Sequence, residues 1–460
     1  MIKHFSTYFR KSSYKLFGFK AIHFIAMIGL FFCFFLLFSK LNEAEYSFRY
    51  NYYVTILYGV IIIFFNRTYN SYLLGYSRIR ALVFGQFLTQ LLSIISVYLL
   101  ISIAWRTFRN PLIFIPMLLL QLLLDVVWSY FGNALFYKLH GKHKTLLIYR
   151  KAIDKVRFGT VKGKPFERMY NITDELQYDG SFSELKDKLK GYDTIFVAGV
   201  NSRCRNGILK YCKENDVHGL FLPHIGDSIM QDAKHIHAFD TPIMTISRKE
   251  LDPEFAIIKR LFDIISSGIA IILLSPIILI TALVIHFYDG GPAFYRQTRL
   301  TRDGKEFQIL KFRSMKVDAE KDGIARLSQG ENDDRVTPIG RIVRRYRLDE
   351  IPQLINIFKG DMSVVGPRPE RPEIAEQYYL SMPEFKLRLQ VKAGLTGYAQ
   401  VYGKYNTSPY EKLEFDLLYI NNMSIFIDIQ LCFATLMTLF KKDSTEGVTG
   451  VTAEIEENDM

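Results

Sequence analysis

Four apolar runs dominate the first 135 residues and alternate with short polar segments. The runs cover residues 16–39, 53–65, 81–105 and 111–131. A helix needs about 20 apolar residues to cross a bilayer, so the pattern predicts four membrane-spanning helices, the second from the shortest run. Because no small-residue cleavage site follows the first run, we interpret it as an anchor and not as a cleavable signal.

The basic residues around these runs predict how the chain crosses the membrane. They precede the first run, fill the loop between the second and third, and follow the fourth: Lys3, Arg10, Lys11, Lys15, Arg67, Arg78, Arg80, Lys138, Lys142 and Lys144. The alternate loops carry fewer basic residues. By the positive-inside rule, the N-terminus and everything after residue 135 face the cytoplasm, which an even number of crossings also requires.

From about residue 138 the pattern changes to short apolar runs separated by polar helical stretches. Strands are predicted over 145–149, 194–200 and 217–222, and helices over 182–189 and 205–215. This alternation indicates an α/β, Rossmann-like module over residues 138–250. A dinucleotide site would require glycines directly after the first strand, where Arg150 and Lys151 stand instead, so we favour a regulatory or oligomerising role.

Residues 257–287 form a further apolar run that is long enough to cross the membrane. Ser275 and Pro276 interrupt its centre. Proline removes a backbone donor and clashes with the preceding turn, so a kink is predicted near Ser275. A straight crossing would place the following residues outside the cell, whereas a kinked helix enters and leaves the membrane on one side. We therefore favour a re-entrant helix, with a fifth spanning helix as the alternative.

The composition agrees with a membrane protein that has a basic cytoplasmic side. The 460 residues leave room for two or three domains, 49% of them are hydrophobic, and the net charge is +12. Such a charge suits contact with anionic lipids and anionic substrates, although a solvated basic surface would give the same value.

Two adjacent acids, Asp349 and Glu350, lie among clusters of basic residues after the last apolar run. The clusters contain Arg296, Arg299, Arg302, Lys305, Lys311 and Arg313, then Arg341, Arg344, Arg345 and Arg347, and finally Arg368 and Arg371. Few acids interrupt these clusters, so we interpret them as directed at phosphates or lipid headgroups. Neighbouring arginines keep a carboxylate pair ionised, and one acid could then act as a nucleophile while the other holds a divalent cation. An Asp-Glu pair is also common at helix starts and on surfaces, so that alternative stays open.

Several motifs between residues 259 and 441 occur in the order found in one family. They are Lys259, Arg260, Phe262 and Asp263; Ser275 and Pro276; Gly291 and Pro292; Arg296, Gln297 and Arg299; residues 311–315; residues 348–354; Asn356; residues 360–363; residues 366–369; and residues 394–397. With them the chain resembles the bacterial sugar transferases, which are polyprenyl-phosphate hexose-1-phosphate transferases with a monotopic catalytic core. Thr301 departs from the pattern, because the family usually has glycine there, and this puts the local turn in question.

The resemblance implies a membrane protein with four parts. The first three are an N-terminal bundle of four transmembrane helices over 1–137, the α/β module over 138–250, and a re-entrant helix with a mainly α catalytic domain over 251–442. The fourth is a tail over 443–460, which we predict to be disordered because it is acidic and polar. The resemblance also implies the bacterial inner membrane, with the catalytic domain on the cytoplasmic face.

The implied reaction transfers a hexose-1-phosphate from a UDP-sugar to undecaprenyl phosphate and releases UMP. Asp349 would be the nucleophile in a ping-pong scheme and Glu350 would bind Mg²⁺. Asp361 would complete the metal shell or, as an equal alternative, cap a turn. Basic residues expected to bind the phosphates are Lys311, Arg313, Arg344 and Arg368.

The expected partners are the UDP-sugar, the polyprenyl phosphate, the lipid bilayer and a second copy of the chain, without nucleic acid. The product would enter capsule, exopolysaccharide or O-antigen synthesis, and no residue identifies the sugar. Two other functions remain open: a membrane scaffold that regulates glycan assembly, and a glycosyltransferase that releases UDP.

Overall fold

The computed structural model describes residues 2–42, 48–152, 154–155, 164–238, 241–248, 251–316, 335–403 and 407–438. The chain forms two compact units, Met1–Leu222 and Pro223–Met460. The predicted disordered tail, 443–460, lies outside the described residues.

Four long helices open the first unit: α1 (Ile2–Leu41), α2 (Phe48–Thr68), α3 (Ile79–Trp105) and α4 (Phe114–His140). Stretches of α1, α3 and α4 are long and apolar enough to cross a membrane. Aromatic rings fill the interior of the bundle, where Phe31 stacks on Tyr58 and Phe35. Large aliphatic side chains such as Ile103 and Leu119 are exposed on the outside. A backbone bonded within helices and an apolar exterior fit the predicted membrane bundle, although among the described residues α2 is not one of the stretches long and apolar enough to cross.

A four-stranded parallel sheet follows in the same unit, with strand order β2-β1-β3-β4. Its elements are β1 (His143–Tyr149), α5 (Lys164–Met169), β2 (Tyr170–Gln177), α6 (Phe182–Leu185), a 3₁₀ turn (Lys186–Leu189), β3 (Thr194–Ala198), α7 (Ser202–Glu214) and β4 (His218–Phe221). The three predicted strands are present. The edge strand β2 was missed because its outward face leaves most of its side chains at least partly exposed, so its sequence has no apolar run.

The second unit begins with elements that the sequence pattern assigned to the α/β module. They are α8 (Ile225–Met230) and the antiparallel hairpin of β5 (Lys234–Ala238) and β6 (Thr241–Thr245). The backbone N–H of Ile225 donates to the Tyr410 hydroxyl at 3.2 Å, and the Asn421 amide donates to the Ser228 carbonyl at 2.6 Å. The helix α8 is therefore bonded to the part of the chain that contains the acid pair.

The helix α9 (Pro253–Asp289) runs without interruption through Ser275 and Pro276 for 37 residues. Its stretch Pro253–Tyr288 is the fourth that is long and apolar enough to cross a membrane. Lys259, Asp263 and Ser267, at four-residue spacing on one face of α9, are buried against the rest of the second unit. The opposite face exposes aliphatic side chains, among them Ile265, Ile272 and Leu279.

The rest of the second unit surrounds the acid pair. Its elements are β7 (Phe294–Leu300), β8 (Glu306–Phe312), α10 (Pro338–Arg345), a 3₁₀ turn (Leu348–Glu350), α11 (Gln353–Lys359), β9 (Ser363–Val365), α12 (Pro372–Ser381), a 3₁₀ segment (Pro383–Gln390), β10 (Gly394–Thr396), α13 (Tyr398–Tyr402), α14 (Pro409–Asn421) and α15 (Ile425–Thr438). The strands β7 and β8 form a hairpin, and the short strands β9 and β10 pair in parallel. Helices dominate this unit, as predicted for the catalytic domain.

Candidate active site

The acid pair lies in the 3₁₀ turn that links α10 to α11. Arg347, directly before the turn, has a left-handed backbone with φ of 52°, which is uncommon for a residue with a side chain and costs conformational energy. Leu348 packs into an apolar cluster with Ile285 of α9 and Phe312 of β8. The turn is thus fixed from both sides, and Asp349 and Glu350 follow in the next two positions.

Three cations surround Glu350, whose side chain is only 14% exposed. The Arg368 guanidinium donates to Oε1 at 2.8 Å, and the Lys311 ammonium lies 3.9 Å from the same oxygen. Arg347 lies 4.0 Å from Oε2. Burial alone would raise the pKa of Glu350, but these cations outweigh it and lower the pKa to about 2. Glu350 is therefore ionised at neutral pH.

Asp349 has the opposite shift. Burial, and then the negative charge of Glu350, raise the pKa of Asp349 to about 6, although Lys311 and Arg344 act against this. Two adjacent carboxyl groups with pKa values driven apart are a recurrent arrangement in active sites, where each carboxyl has a different task. At neutral pH Asp349 is still mostly ionised, but it is more basic than an ordinary aspartate and so better suited to attack an electrophile.

The segment 367–369 holds Arg368 in place through its backbone. The carbonyl of Pro367 accepts from the Gly394 N–H at 2.8 Å, and that of Pro369 accepts from the Arg299 guanidinium at 3.1 Å. The Arg368 carbonyl accepts from the Arg388 guanidinium at 2.8 Å. With each of these three carbonyls bonded, the Arg368 side chain points from a fixed loop towards Glu350.

Three glycines allow this loop to lie against the segment 394–397. A Cβ atom at Gly394 would stand 2.0 Å from the Gly366 nitrogen, and one at Gly366 would stand 2.4 Å from the Lys392 carbonyl oxygen. At Gly397 the clash would be with the Gly366 carbonyl, 2.5 Å away. The motifs 366–369 and 394–397, almost thirty residues apart in sequence, therefore pack directly against each other beside the pairing of β9 with β10.

The remaining basic residues of the predicted set lie in different surroundings. Burial, the largest effect, lowers the pKa of Lys311, while Glu350 raises it. Arg344 donates from Nε to the Ser314 hydroxyl at 2.8 Å. The Arg313 guanidinium packs against Gly291, where a Cβ atom would stand 1.9 Å from it. Lys311, Arg344 and Arg368 thus act on the acid pair, whereas Arg313 lies at the entry to the hairpin.

Asp361 is bonded into the junction between α11 and the hairpin. Its carboxylate accepts from the Asn356 amide at 3.0 Å, and its carbonyl accepts from the Thr301 hydroxyl at 3.1 Å. The Asn356 amide oxygen in turn accepts from the Leu310 N–H at 2.9 Å. These contacts give Asp361 a structural role at this junction, while both the turn-capping and the metal role stay predictions.

Thr301 itself has an extended backbone, with φ of −126°, which any residue adopts. The left-handed positions of this turn fall on Asp303 and Gly304, with φ of 62° and 73°. The Thr301 hydroxyl also accepts from the Ala393 N–H at 3.2 Å. Threonine therefore fits the turn and adds contacts to it.

Sequence patterns did not predict two buried pairings of α9. The Lys259 ammonium lies 2.7 Å from the Asp428 carboxylate of α15, and both side chains are buried. Asp263 accepts from the Ser363 hydroxyl at 2.9 Å and from the Val364 N–H at 3.0 Å. The only sequence signal for either residue was its place in a family motif, since the partners lie 100 residues or more away along the chain.

The candidate site thus combines two adjacent carboxyls, a cluster of basic side chains and an apolar helix long enough to cross a membrane. Residues 254–442 match the family model for bacterial sugar transferases. The chain belongs to the bacterial sugar transferase family, which confirms the resemblance inferred from its motifs.

Three relatives illustrate the similarity. A UDP-N-acetylgalactosamine-undecaprenyl-phosphate N-acetylgalactosaminephosphotransferase of Aeromonas hydrophila is 40% identical over 190 residues, which is 41% of this chain and 44% of that protein. A UDP-glucose:undecaprenyl-phosphate glucose-1-phosphate transferase of Klebsiella pneumoniae is 37% identical over 286 residues, 60% of this chain and 61% of that protein. The exopolysaccharide production protein ExoY of Rhizobium meliloti is 38% identical over 191 residues, 39% of this chain and 83% of that protein. The chain thus spans about half the length of the first two relatives.

Proposed function

We propose that this protein transfers a sugar-1-phosphate from a UDP-sugar to undecaprenyl phosphate, releasing UMP. The observation that carries the proposal is the pair of adjacent carboxyls with divergent pKa values inside a ring of fixed cations. Relatives named for this reaction, with glucose or N-acetylgalactosamine as the sugar, support it. The exopolysaccharide relative supports a product that enters surface polysaccharide synthesis.

Asp349 is the nucleophile of the first step. Its carboxylate oxygen attacks the sugar-bearing phosphorus, the bond from that phosphorus to the bridging oxygen breaks, and UMP leaves with the electron pair. In the second step an oxygen of undecaprenyl phosphate attacks the same phosphorus and the bond to Asp349 breaks. Arg344, Arg368 and Lys311 offset the repulsion between an anionic nucleophile and anionic substrates.

The acid pair fits Mg²⁺, the cofactor expected for a nucleotide diphosphate. Among the described residues, no group of three or more His, Cys, Asp or Glu side chains is placed to hold a metal ion. Mg²⁺ usually binds through one or two carboxylates together with substrate phosphates, and Glu350 provides such a carboxylate. When bound, the ion would neutralise charge on the leaving UMP. Glu350, ionised at neutral pH, is the residue that would hold it.

The way α9 packs supports the re-entrant interpretation. Its first half contacts β9 and α15 through Asp263 and Lys259, and Ile285 near its other end packs beside Leu348. One folded unit therefore covers one face of the helix along most of its length. Placing such a unit across the hydrocarbon core would be costly, so we propose that both ends of α9 lie on the same side of the membrane, the cytoplasmic side in the predicted orientation.

Labelling tests this topology. Single cysteines at Glu254 and Tyr288 should both resist a membrane-impermeant thiol reagent in intact cells and both react after lysis. Reaction of one site from outside would establish a spanning helix and refute the re-entrant proposal. In a Pro276→Leu variant we expect the second site to become accessible from outside in part of the population, because a straight helix can cross.

The nucleotide released tests the function itself. Purified full-length protein with Mg²⁺, undecaprenyl phosphate and a panel of UDP-sugars should release UMP with one or a few of them. Release of UDP would instead indicate a glycosyltransferase that moves the sugar alone, and no release with any donor would favour the membrane scaffold.

The covalent step has its own test. Without lipid acceptor, labelled UMP should exchange into the UDP-sugar, because UMP can attack the covalent intermediate on Asp349 and re-form the UDP-sugar. Asp349→Asn should abolish this exchange, while Glu350→Gln should weaken it and change its Mg²⁺ dependence. Exchange at the normal rate in Asp349→Asn would rule out Asp349 as the nucleophile.

A further inference from the structure

A cluster of buried polar side chains lies inside the N-terminal helix bundle, away from the transfer chemistry. The Asp125 carboxylate, on α4, is fully buried with an exposed fraction of 0%. Its Oδ1 atom contacts His23 Nε2 of α1 at 3.1 Å and accepts from Gln90 Nε2 of α3 at 2.9 Å. Asp125 is about 17 Å along α4 from its first residue, near the middle of a helix long enough to cross a membrane. An ionisable side chain at such a depth is costly and usually serves a function.

Three acceptor oxygens in this cluster have no hydrogen-bond donor in the described part of the chain. They are Asp125 Oδ2, Gln90 Oε1 and Gln121 Oε1. The two glutamines lie on either side of Met27, since Gln90 donates to its sulfur at 3.4 Å and Gln121 donates to its carbonyl at 3.5 Å. Gln121 also precedes Asp125 by one turn of α4, so the three oxygens belong to one small region.

The charge of Asp125 leads to the same conclusion as the unpaired oxygens. Among the described residues that contact the Asp125 carboxylate, His23 is the one whose side chain can carry a positive charge. A protonated His23 would balance the charge of Asp125 but would leave all three acceptor oxygens without a partner. A small cation bound between them would both balance the carboxylate and satisfy the oxygens.

We propose that Asp125, Gln90 and Gln121 form a binding site for Na⁺ within the helix bundle. The site has polar neighbours towards one end. Ser129 and Asn133 follow Asp125 at one-turn spacing towards the end of α4 that leads into β1. Both side chains are buried, and Ser129 donates to the Gln86 amide oxygen at 3.2 Å.

Thermal unfolding of the full-length protein in lipid nanodiscs tests the site without measuring transferase activity. NaCl is titrated against N-methyl-D-glucamine chloride at constant ionic strength, and pH is varied at constant Na⁺. A ligand that binds only the folded state raises the melting temperature, so we expect a rise of about 3 °C or more with Na⁺. A rise with falling pH alone would mean that Asp125 only takes up a proton, which gives one donor for three acceptor oxygens, and would refute the Na⁺ site. His23, Tyr58 and Tyr72 are the other titratable groups that face Asp125, so the pH series is repeated in a His23→Gln variant.

The response should be lost in Asp125→Asn, which keeps the shape and the hydrogen bonds to its neighbours. Gln121→Met, which removes one acceptor without touching Asp125, should shift the response to several-fold higher cation concentration. The exposed acid Asp187, changed to Asn, is the control and should respond like the wild type. A melting temperature in the wild type that does not depend on Na⁺ would refute the proposal and leave a fixed His23–Asp125 ion pair. A response that persists unchanged in both Asp125→Asn and Gln121→Met would also refute it.

Discussion

The pKa of Asp349 gives a quantitative prediction for the first chemical step. With a pKa of about 6, about 9% of Asp349 is ionised at about pH 5 and about 91% at about pH 7. An ordinary aspartate would be more than about 90% ionised at both values. If Asp349 attacks as the carboxylate, the rate of the first step should fall about tenfold between these pH values.

Release of UMP from the UDP-sugar in a single turnover, without lipid acceptor, is the appropriate assay. It reports the first step alone, and it contains neither undecaprenyl phosphate nor added UMP, whose phosphates titrate in the same range. The acid limb of the pH profile should have its midpoint near pH 6. A midpoint below about 4.5, the range of an unperturbed carboxyl, would refute the reasoning.

Removing a nearby cation should move this limb in a defined direction. The positive charge of Arg344 lowers the pKa of Asp349, so Arg344→Gln should raise that pKa and shift the acid limb to higher pH. Arg345, the next residue of α10, is exposed and is not among the groups that shift Asp349, so Arg345→Gln is the matched control. Equal limbs in the two variants would contradict the proposed electrostatics.

Two further predictions concern buried charges. Lys259→Met leaves Asp428 buried without its cation and should destabilise the second unit by about 3–5 kcal/mol, measured by chemical or thermal unfolding, whereas Lys259→Met combined with Asp428→Leu should recover much of the loss. Arg388 donates to the Arg368 carbonyl and lies 2.8 Å from the Asp416 carboxylate, and Arg388→Met removes both contacts. The rate of UMP release should therefore fall more in Arg388→Met than in Arg388→Lys, which keeps the charge. Equal rates in the two variants would exclude a positioning role for Arg388.

The sequence predicted the elements whose pattern is local. Apolar runs identified the membrane bundle, and short apolar runs identified the strands β1, β3 and β4, because a buried helix or a buried strand is apolar over its own length. The edge strand β2 has no such run and was missed. The start of the second unit at Pro223, with α8 bonded to Tyr410, was not predicted either, because it depends on a contact between segments 185 residues apart.

At the site, the sequence predicted which residue types are present but not which of the basic residues face the acid pair and which stabilise the fold. An arginine in a basic cluster can face a substrate or fix the fold, and pattern alone does not distinguish the two. Arg299 was expected to face phosphates, yet its guanidinium bonds to the Pro369 carbonyl and to Gln297. The low pKa of Glu350 depends on cations from three separate segments, which only the folded chain brings together.

The apolar helix α9 packs against the residue that precedes the acid pair. Leu348 is the residue before Asp349, and it shares one apolar cluster with Ile278, Ala282 and Ile285 of α9. The proposed nucleophile therefore adjoins a side chain that packs on this apolar helix. A polyprenyl phosphate would lie at the boundary between hydrocarbon and water, with its hydrocarbon chain in the membrane. The proposed transfer from a soluble nucleotide sugar to such a phosphate needs its nucleophile at that boundary, and the packing of Leu348 against α9 is consistent with this position.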